Sequence, residues 1–486
     1  MSPHLVRRQL LAAVLLVMPA FAQKPAMRSA LVCARCHTFL AAPPAATNAA
    51  DGASVAPYWL WLGTMMRHAG VDPYWQAAVR HENSSTPGAE RITRETCIRC
   101  HQPAGQFEPT LAEEGITCTV CHQIKPDNLG TRESFDAGFR LNGESRIFGP
   151  HRDPFPMPMR MMAGYVPEYG PHILESALCG SCHTVITPIL DADGNQHGEF
   201  LEQAPYLEWR ASGFPQRGTS CRDCHMPVLA DSSATPVSQY IAHHPNGSGY
   251  FPPTSPRSPF GQHVFLGANT VVPQLLARQY SGRAGDLLRT VELNRKFLKS
   301  AVDVSIGTAR SGSRLFVDVT LRNRTGHKLP TGHPSRRLWI HMKAESMGEI
   351  LFESGSPLTA FEEQPHHSLI DRPEQAMVYE AQMSGVDNRP VTLLLRAAHY
   401  TKDNRLLPEG FQADAELAPR GLRGDTNFVA GSDTVRYSIP AANRPSRITV
   451  RVMYQSIKPS HDLLTNHRGS APEVLAEVVR EIGVHD

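Results

Sequence analysis

The chain has 486 residues and ten cysteines, and all ten fall into a single pattern. They form five Cys-x-x-Cys pairs, each followed at once by histidine: "CARCH" at 33–37, "CIRCH" at 97–101, "CTVCH" at 118–122, "CGSCH" at 179–183 and "CRDCH" at 221–225. Two thiols three residues apart can each add to one vinyl group of a haem, and the adjacent imidazole then meets the iron as proximal ligand. This reading assigns thioether bonds to Cys33, Cys36, Cys97, Cys100, Cys118, Cys121, Cys179, Cys182, Cys221 and Cys224. Proximal ligation falls to His37, His101, His122, His183 and His225. Zinc also uses Cys-x-x-Cys pairs but has no need of the following histidine. With 23 histidines in the chain, five such neighbours by chance have odds on the order of 10⁻⁷. A thioredoxin-type redox pair would occur once rather than five times. Five c-type haems are the expected cofactors.

Covalent haem attachment suits an exported protein, and the N-terminus agrees. Arg7 and Arg8 precede the apolar run "LLAAVLLVM", and "PAFA" offers small residues at positions 20 and 22 for cleavage. Residues 1–22 therefore read as a secretory signal peptide. The apolar run is too short to span a bilayer, and no later segment approaches that length. The formal charge of +2 falls to zero when Arg7 and Arg8 leave. Ionised propionates on five haems would then carry the protein to about −5 when ferric and about −10 when ferrous. No dense basic run points to nucleic acid.

The chain resembles the multihaem c-type cytochromes of bacterial respiration, in the broad group with cytochrome c554-like haem packing. The likeness rests on the five motifs and on connecting phrases. These include "DPYWQAAVRHE" (72–82), "GITCTVCH" (115–122), "ESALCGSCH" (175–183), "GTSCRDCHMP" (218–227) and "HVFLGAN" (263–269). "TGHKLPTGHPSRRLWIH" and "YTKDNRLLPEGF" (400–411) look like parts of a domain appended to such cytochromes. The resemblance implies electron transfer in the periplasm or at the cell surface of a Gram-negative bacterium. The implied partners are other cytochromes or a quinol-linked oxidoreductase, with self-association as a further possibility. Relatives that reduce nitrite often carry a Cys-x-x-Cys-Lys site, and none exists here.

Distal ligands decide between carrier and enzyme. Iron with two protein ligands only moves electrons, whereas iron with one can bind a small molecule. His81 at the end of a helical stretch, His172 seven residues before Cys179, and His263 opening "HVFLGAN" match the family's phrasing for distal ligands. His151 and the pair His243/His244 are further candidates, and His68 is another. "RTGHKLPTGHP" (324–334) places His327 and His333 in a Gly/Pro-shaped loop of a region without cysteine. The expectation is that this loop docks on the haem region and that His327, or His333 in its place, caps one iron. The alternative is a surface loop near a propionate, with Lys328, Arg336 or Arg337 as its ionic partner. The methionines of "PMPMRMM" (156–162) read as a patch on a haem face rather than a copper site.

These residues must be held by two kinds of structure. The expected fold is multidomain: a loop-rich, mostly α multihaem domain followed by an all-β, sandwich-like domain. The expected boundaries are 23–268 for the haem domain, 269–300 for a helical bridge broken at Ser281-Gly282, and 301–456 for the β-domain. Residues 457–486 read as a tail whose "APEVLAEVVREIG" forms a short helix. Strands are expected at "SRLFVDVTLRN", "RRLWIHMKAE", "VTLLLRAAHY", "DTVRYSIP" and "SRITVRVMY" from their alternation. Residues 41–57 read as a loop. Electron transfer through five haems is the leading function, and an electron carrier is favoured over a catalyst. An oxidoreductase with one open haem acting on a small nitrogen or sulfur compound is the first alternative. A β-domain serving mainly for docking or assembly is the second.

Overall fold

Alternation of apolar and polar residues from Val302 onward sets the architecture of the C-terminal half. In the computed structural model, Val302–Ser311 and Arg314–Asn323 form a hairpin turning at Gly312 (φ +57°), where a Cβ would be strained. The hairpin belongs to a four-stranded sheet completed by Ser432–Pro440 and the short strand Leu369–Ile370. A seven-stranded sheet is built around Arg337–Ser346, Ser446–Gln455 and Val378–Ser384. One apolar cluster joins the two sheets: Val317, Val319 and Leu321 pack with Ile340, Met342, Val435, Val450 and Val452, all fully buried. Face-to-face burial of this kind follows from strands that alternate inward and outward residues. The structure describes residues 27–38, 55–228, 241–242, 257, 260–357, 364–464 and 468–483. The signal peptide, most of the 41–57 loop and the His243/His244 pair lie outside them.

Two sequence expectations are corrected here. The stretch at 471–483 is not a helix: Glu473–Ile482 is a strand, antiparallel to Ser446–Gln455 from Ser446↔Ile482 to Tyr454↔Glu473. Its Leu475, Val478, Val479 and Ile482 mimic a helical stripe. An open sheet edge and three valines favour the strand, and Arg447–Glu481 and Arg451–Glu477 pair across it. "VTLLLRAAHY" is a strand only at its two ends, in the short strand Pro390–Val391 and in His399–Asp403. Its middle, Leu394–Arg396, is a single 3-10 turn, because the amides of Leu394 and Leu395 donate to the buried carboxylate of Glu82 instead of to a ladder.

Before residue 300 the chain is mostly short helices. Two small sheets also occur there, Arg146–Gly149 with Val166–Tyr169 and Val185–Leu190 with Gln196–Gln203. Helices Val271–Gln279 and Ala284–Leu298, interrupted by the turn Ser281–Arg283, lead into the β-rich half. Helix Pro73–Ser85 begins with proline at its first position and Asp72 as cap, whose carboxylate accepts from the amides of Tyr74 and Trp75. Helix Cys221–His225 starts with a reciprocal Ser220/Asp223 capping box.

The two halves are bound through buried charge. Glu208, on helix Pro205–Arg210, accepts from the Lys328 amide at 3.2 Å and pairs with Arg405 at 3.1 Å. Arg405 and Lys328 both grip Asp403, at 2.7 Å and 2.5 Å. All four side chains are buried. The 324–334 loop is thus no surface loop, and Lys328 has a carboxylate of its own chain as its partner.

Candidate functional site

Each Cys-x-x-Cys lies on or at the end of a helical turn: Ala30–His37, Ala89–His101, Cys118–Cys121, Ser176–Gly180 and Cys221–His225. Residues three apart on a helix share a face, so the two thiols of each motif point the same way with the histidine beside them. No disulfide joins any of the ten cysteines.

The motif histidines have a common polarity. Nδ1 faces a backbone carbonyl in His37 (Ile241, 2.7 Å), His101 (Ala69, 3.2 Å), His122 (Phe148, 2.6 Å) and His225 (Leu266, 2.6 Å). A carbonyl can only accept, so the ring proton sits on Nδ1 and the Nε2 lone pair is free. Metal-ligating histidines are normally held in this way. No such bond is made by His183 among the described residues. It is exposed by accessible surface, yet enough protein surrounds it to pull its pKa down to about 4. Burial likewise pulls His101 to about 4, which keeps the imidazole neutral and able to ligate.

Two histidines outside the motifs repeat this polarity and stand opposite motif histidines. His263 donates from Nδ1 to Gly261 at 3.2 Å, and its ring lies 6.3 Å from that of His122 with 17° between planes. His327 faces the Lys328 carbonyl at 2.9 Å, and its ring lies 6.2 Å from that of His225 with 22° between planes. Both side chains are half-buried, with pKa values lowered to about 4 by desolvation. Metal–imidazole bonds of ~2.0–2.1 Å on either side of one ion, with about 1.1 Å from each nitrogen to its ring centre, give about 6.3 Å. The donor set and its spacing therefore fit an iron between each pair.

Other sequence candidates are placed differently. His172 is buried beside Phe148 and turns Nε2 to the Ile124 carbonyl at 2.8 Å. His68 is buried likewise, with Nε2 on Leu62 at 3.0 Å. In His151, half-buried near Arg257 and Asp153, desolvation lowers the pKa. His81 is exposed and touches Ser85 from Nδ1 at 3.4 Å. His333 has the opposite polarity to the ligand-like rings, because the Ser335 amide donates to its Nδ1 at 3.1 Å. The "PMPMRMM" methionines sit on helix Pro156–Ala163, which presents Met157, Met161 and Met162 outward.

Sequence reading overlooked Trp75, Tyr74 and His461. Trp75 stacks flat on His101, ring centres 4.6 Å apart. His461 packs edge-on against His333, and its backbone carbonyl accepts from the Tyr74 hydroxyl. "PYW" after Asp72 was a visible aromatic signal, whereas "KPSHD" gives no hint of its neighbours.

Thiol contacts join motifs far apart in sequence. The thiol of Cys33 is within hydrogen-bonding reach of that of Cys118, Cys100 of Cys182 and Cys179 of Cys221, while Cys121 lies in the field of Cys182. In the β-rich half, His366, Asp425 and Asp433 form a buried trio within 4.8 Å. Asn404 donates to His366 Nδ1, which leaves the ring proton on Nε2 facing Asp425 at 2.8 Å. That arrangement is a hydrogen-bonded relay rather than a cation cage.

No family model matches the chain, and no curated protein matches it. Among solved structures it is similar to a penta-heme cytochrome c552 from Thermochromatium tepidum. The match has a TM-score of 0.57 at 17% identity and covers 94% of this chain and 99% of the other. The likeness is one of fold. It spans both halves, so the β-rich region belongs to the shared architecture. No helix among the described residues is long and apolar enough to cross a membrane.

Proposed function

We propose that the protein is an exported electron carrier holding five c-type haems, one on each Cys-x-x-Cys-His motif. The observation that carries this reading is the pair of near-parallel imidazole couples, His122/His263 and His225/His327, at the spacing of a shared metal ion. Bound haem would supply an iron that cycles between Fe(III) and Fe(II). The chain's own part is to fix the ring tautomers, exclude water and set the reduction potential through burial and axial nitrogen. Closing both axial positions with protein nitrogen favours electron movement over substrate chemistry at those two sites.

The remaining distal candidates for the first and fourth motifs are His151 and His172, with His243 and His244 beyond the described residues. His172 has only Nδ1 left to offer. The thiol contacts support an order of sites in which 33–37, 118–122, 179–183 and 221–225 follow one another, with 97–101 branching at 179–183. The fourth motif is then the junction. Periplasmic or cell-surface residence follows from covalent haem and the leader at 1–22.

Haem counting by pyridine haemochrome, joined to low-temperature EPR of the oxidised holoprotein, tests the reading. Five haems per chain are expected, and His263→Ala and His327→Ala should each turn one-fifth of the iron high-spin. Fewer than five haems, or no spin change in either variant, would sink it.

A further inference from the structure

The imidazole of His101 is gripped by one short segment, residues 69–76. The Ala69 carbonyl accepts from its Nδ1 at 3.2 Å, and the Gly70 carbonyl accepts from the side chain of the next residue, Gln102, at 3.1 Å. Gln76, one position past Trp75, donates to the same Gly70 carbonyl at 3.4 Å. The glutamine after the histidine and the glutamine after the tryptophan thus meet on one oxygen. Beside that bracket Trp75 lies flat on His101, ring centres 4.6 Å apart and planes 6° from parallel.

The backbone sets this placement. A Cβ at Gly70 would come within 2.2 Å of the Ala112 carbonyl oxygen, so only glycine lets the segment sit there. Asp72 then caps helix Pro73–Ser85, and its carboxylate accepts from the Trp75 amide at 3.2 Å, which fixes Trp75 in the first turn. Two other motif histidines have different ring neighbours. Phe297 meets His225 edge-on, at 5.3 Å with 68° between planes, and His263 faces His122 from 6.3 Å. Among the described residues neither has a ring laid flat against it at stacking distance.

We propose that Trp75 is a positioning residue for the second haem site: it fixes the plane of His101 and favours Fe(III) over Fe(II) in the iron that His101 would hold. The inference rests on the five-haem reading. A ring anchored by one hydrogen bond at Nδ1 can still rock about that bond, and a flat neighbour on its face removes the freedom. The indole face is also electron-rich and attracts positive charge. An imidazole on ferric iron shares the charge of the ion and gives up part of it on reduction. A face-on indole therefore stabilises the oxidised state more than the reduced one. Neighbours of metal-bound histidines act on the metal in this indirect way.

The test is a redox titration of the holoprotein followed by EPR and visible absorption, with haem counted on the same samples. Trp75→Leu should keep five haems and alter the ferric EPR signal of one-fifth of the iron. At a fixed applied potential that fifth should show a ferrous-to-ferric ratio about tenfold higher, equivalent to about 59 mV for one electron. Trp75→Phe keeps a smaller aromatic face and should shift the ratio in the same direction by about threefold. Unchanged potentials and EPR signals in both variants would overturn the inference. Equal shifts in the two would also overturn it, since the aromatic face would then count for nothing, as would a shift spread over all five haems. If Trp75→Leu holds fewer than five haems, Trp75→Phe decides alone, and an unmoved ratio there overturns the inference. A haem count below five in the unaltered protein would instead indict the five-haem reading, so the two failures are distinguishable.

Discussion

The two halves of the molecule hold themselves together by different means. Beyond residue 300, one large cluster of fully buried aliphatics joins both sheets. Before it, the apolar clusters are small and scattered, such as Val55, Ala56, Leu60, Phe260 and Val264, or Met27, Ala104, Leu111 and Val120. The β-rich half has a core made of its own side chains. The helical half has instead ten thiols and a set of inward histidines, and on the proposed reading it packs on what they bind. A cofactor that binds only the folded chain adds its binding free energy to folding. The difference between the halves is therefore where the stabilisation comes from.

That contrast can be broken most directly by withholding haem. Haem-free protein should lose most of the helical signal in circular dichroism and be cut readily before residue 300, leaving a protease-resistant fragment spanning the β-rich half. Protection of the helical half without haem would refute the contrast. A smaller effect is expected at the seam: Arg405→Ala leaves the buried Glu208 carboxylate without its cation and Asp403 with Lys328 alone, and should cost about 3–5 kcal/mol in denaturant unfolding. Ile340→Ala, inside the shared core, should cost about 2–5 kcal/mol with the haem count unchanged. Parallel loss of haem would mean that the halves are not separate in their energetics.

The smallest effect is a difference in pH response. Glu380 is drawn down to about 2: desolvation opposes the shift, and Lys458 and Lys402 overcome it. Its folded pKa is below the unfolded value near 4.5, so its contribution is present above that pH and lost as the pH falls towards 2. Glu82 and Glu202 in the helical half are raised by burial to about 7. Their folded pKa values exceed the unfolded ones, so their stabilisation is present below pH 4.5 and lost as the pH rises through 7. Proteolysis rates of the two halves should therefore move in opposite directions across those windows. Equal responses would remove this distinction.

Much of this was legible in the sequence where a residue's neighbours are fixed by spacing. The five motifs need only a helical turn, and Arg314–Asn323, Arg337–Ser346 and Ser446–Gln455 show their alternation openly. The helical break at Ser281 is equally plain. What could not be read depends on partners distant in the chain. Glu473–Ile482 carries a stripe compatible with helix or strand, and only the free edge of its neighbour decides. His327 and His333 look alike in "TGHKLPTGHP", yet one faces a carbonyl and the other an amide, which gives them opposite tautomers. His263 was singled out by phrase, but its pairing with His122 is a fact of tertiary structure. The role of Glu82 in holding Leu394 and Leu395 joins residues more than three hundred positions apart.

The seating of His327 over His225 also has a consequence for how the protein matures. Synthesis and export run from the N-terminus, so all five Cys-x-x-Cys-His motifs emerge before the strand that leads into the 324–334 loop. On the proposed assignment the residues that would hold the fifth haem are made before His327, and His327 would be seated only once the sheets have folded and Glu208 has captured Lys328 and Arg405. Folding of the last half is then what would bring the second imidazole to the fifth motif, and a chain truncated before residue 327 would lack it.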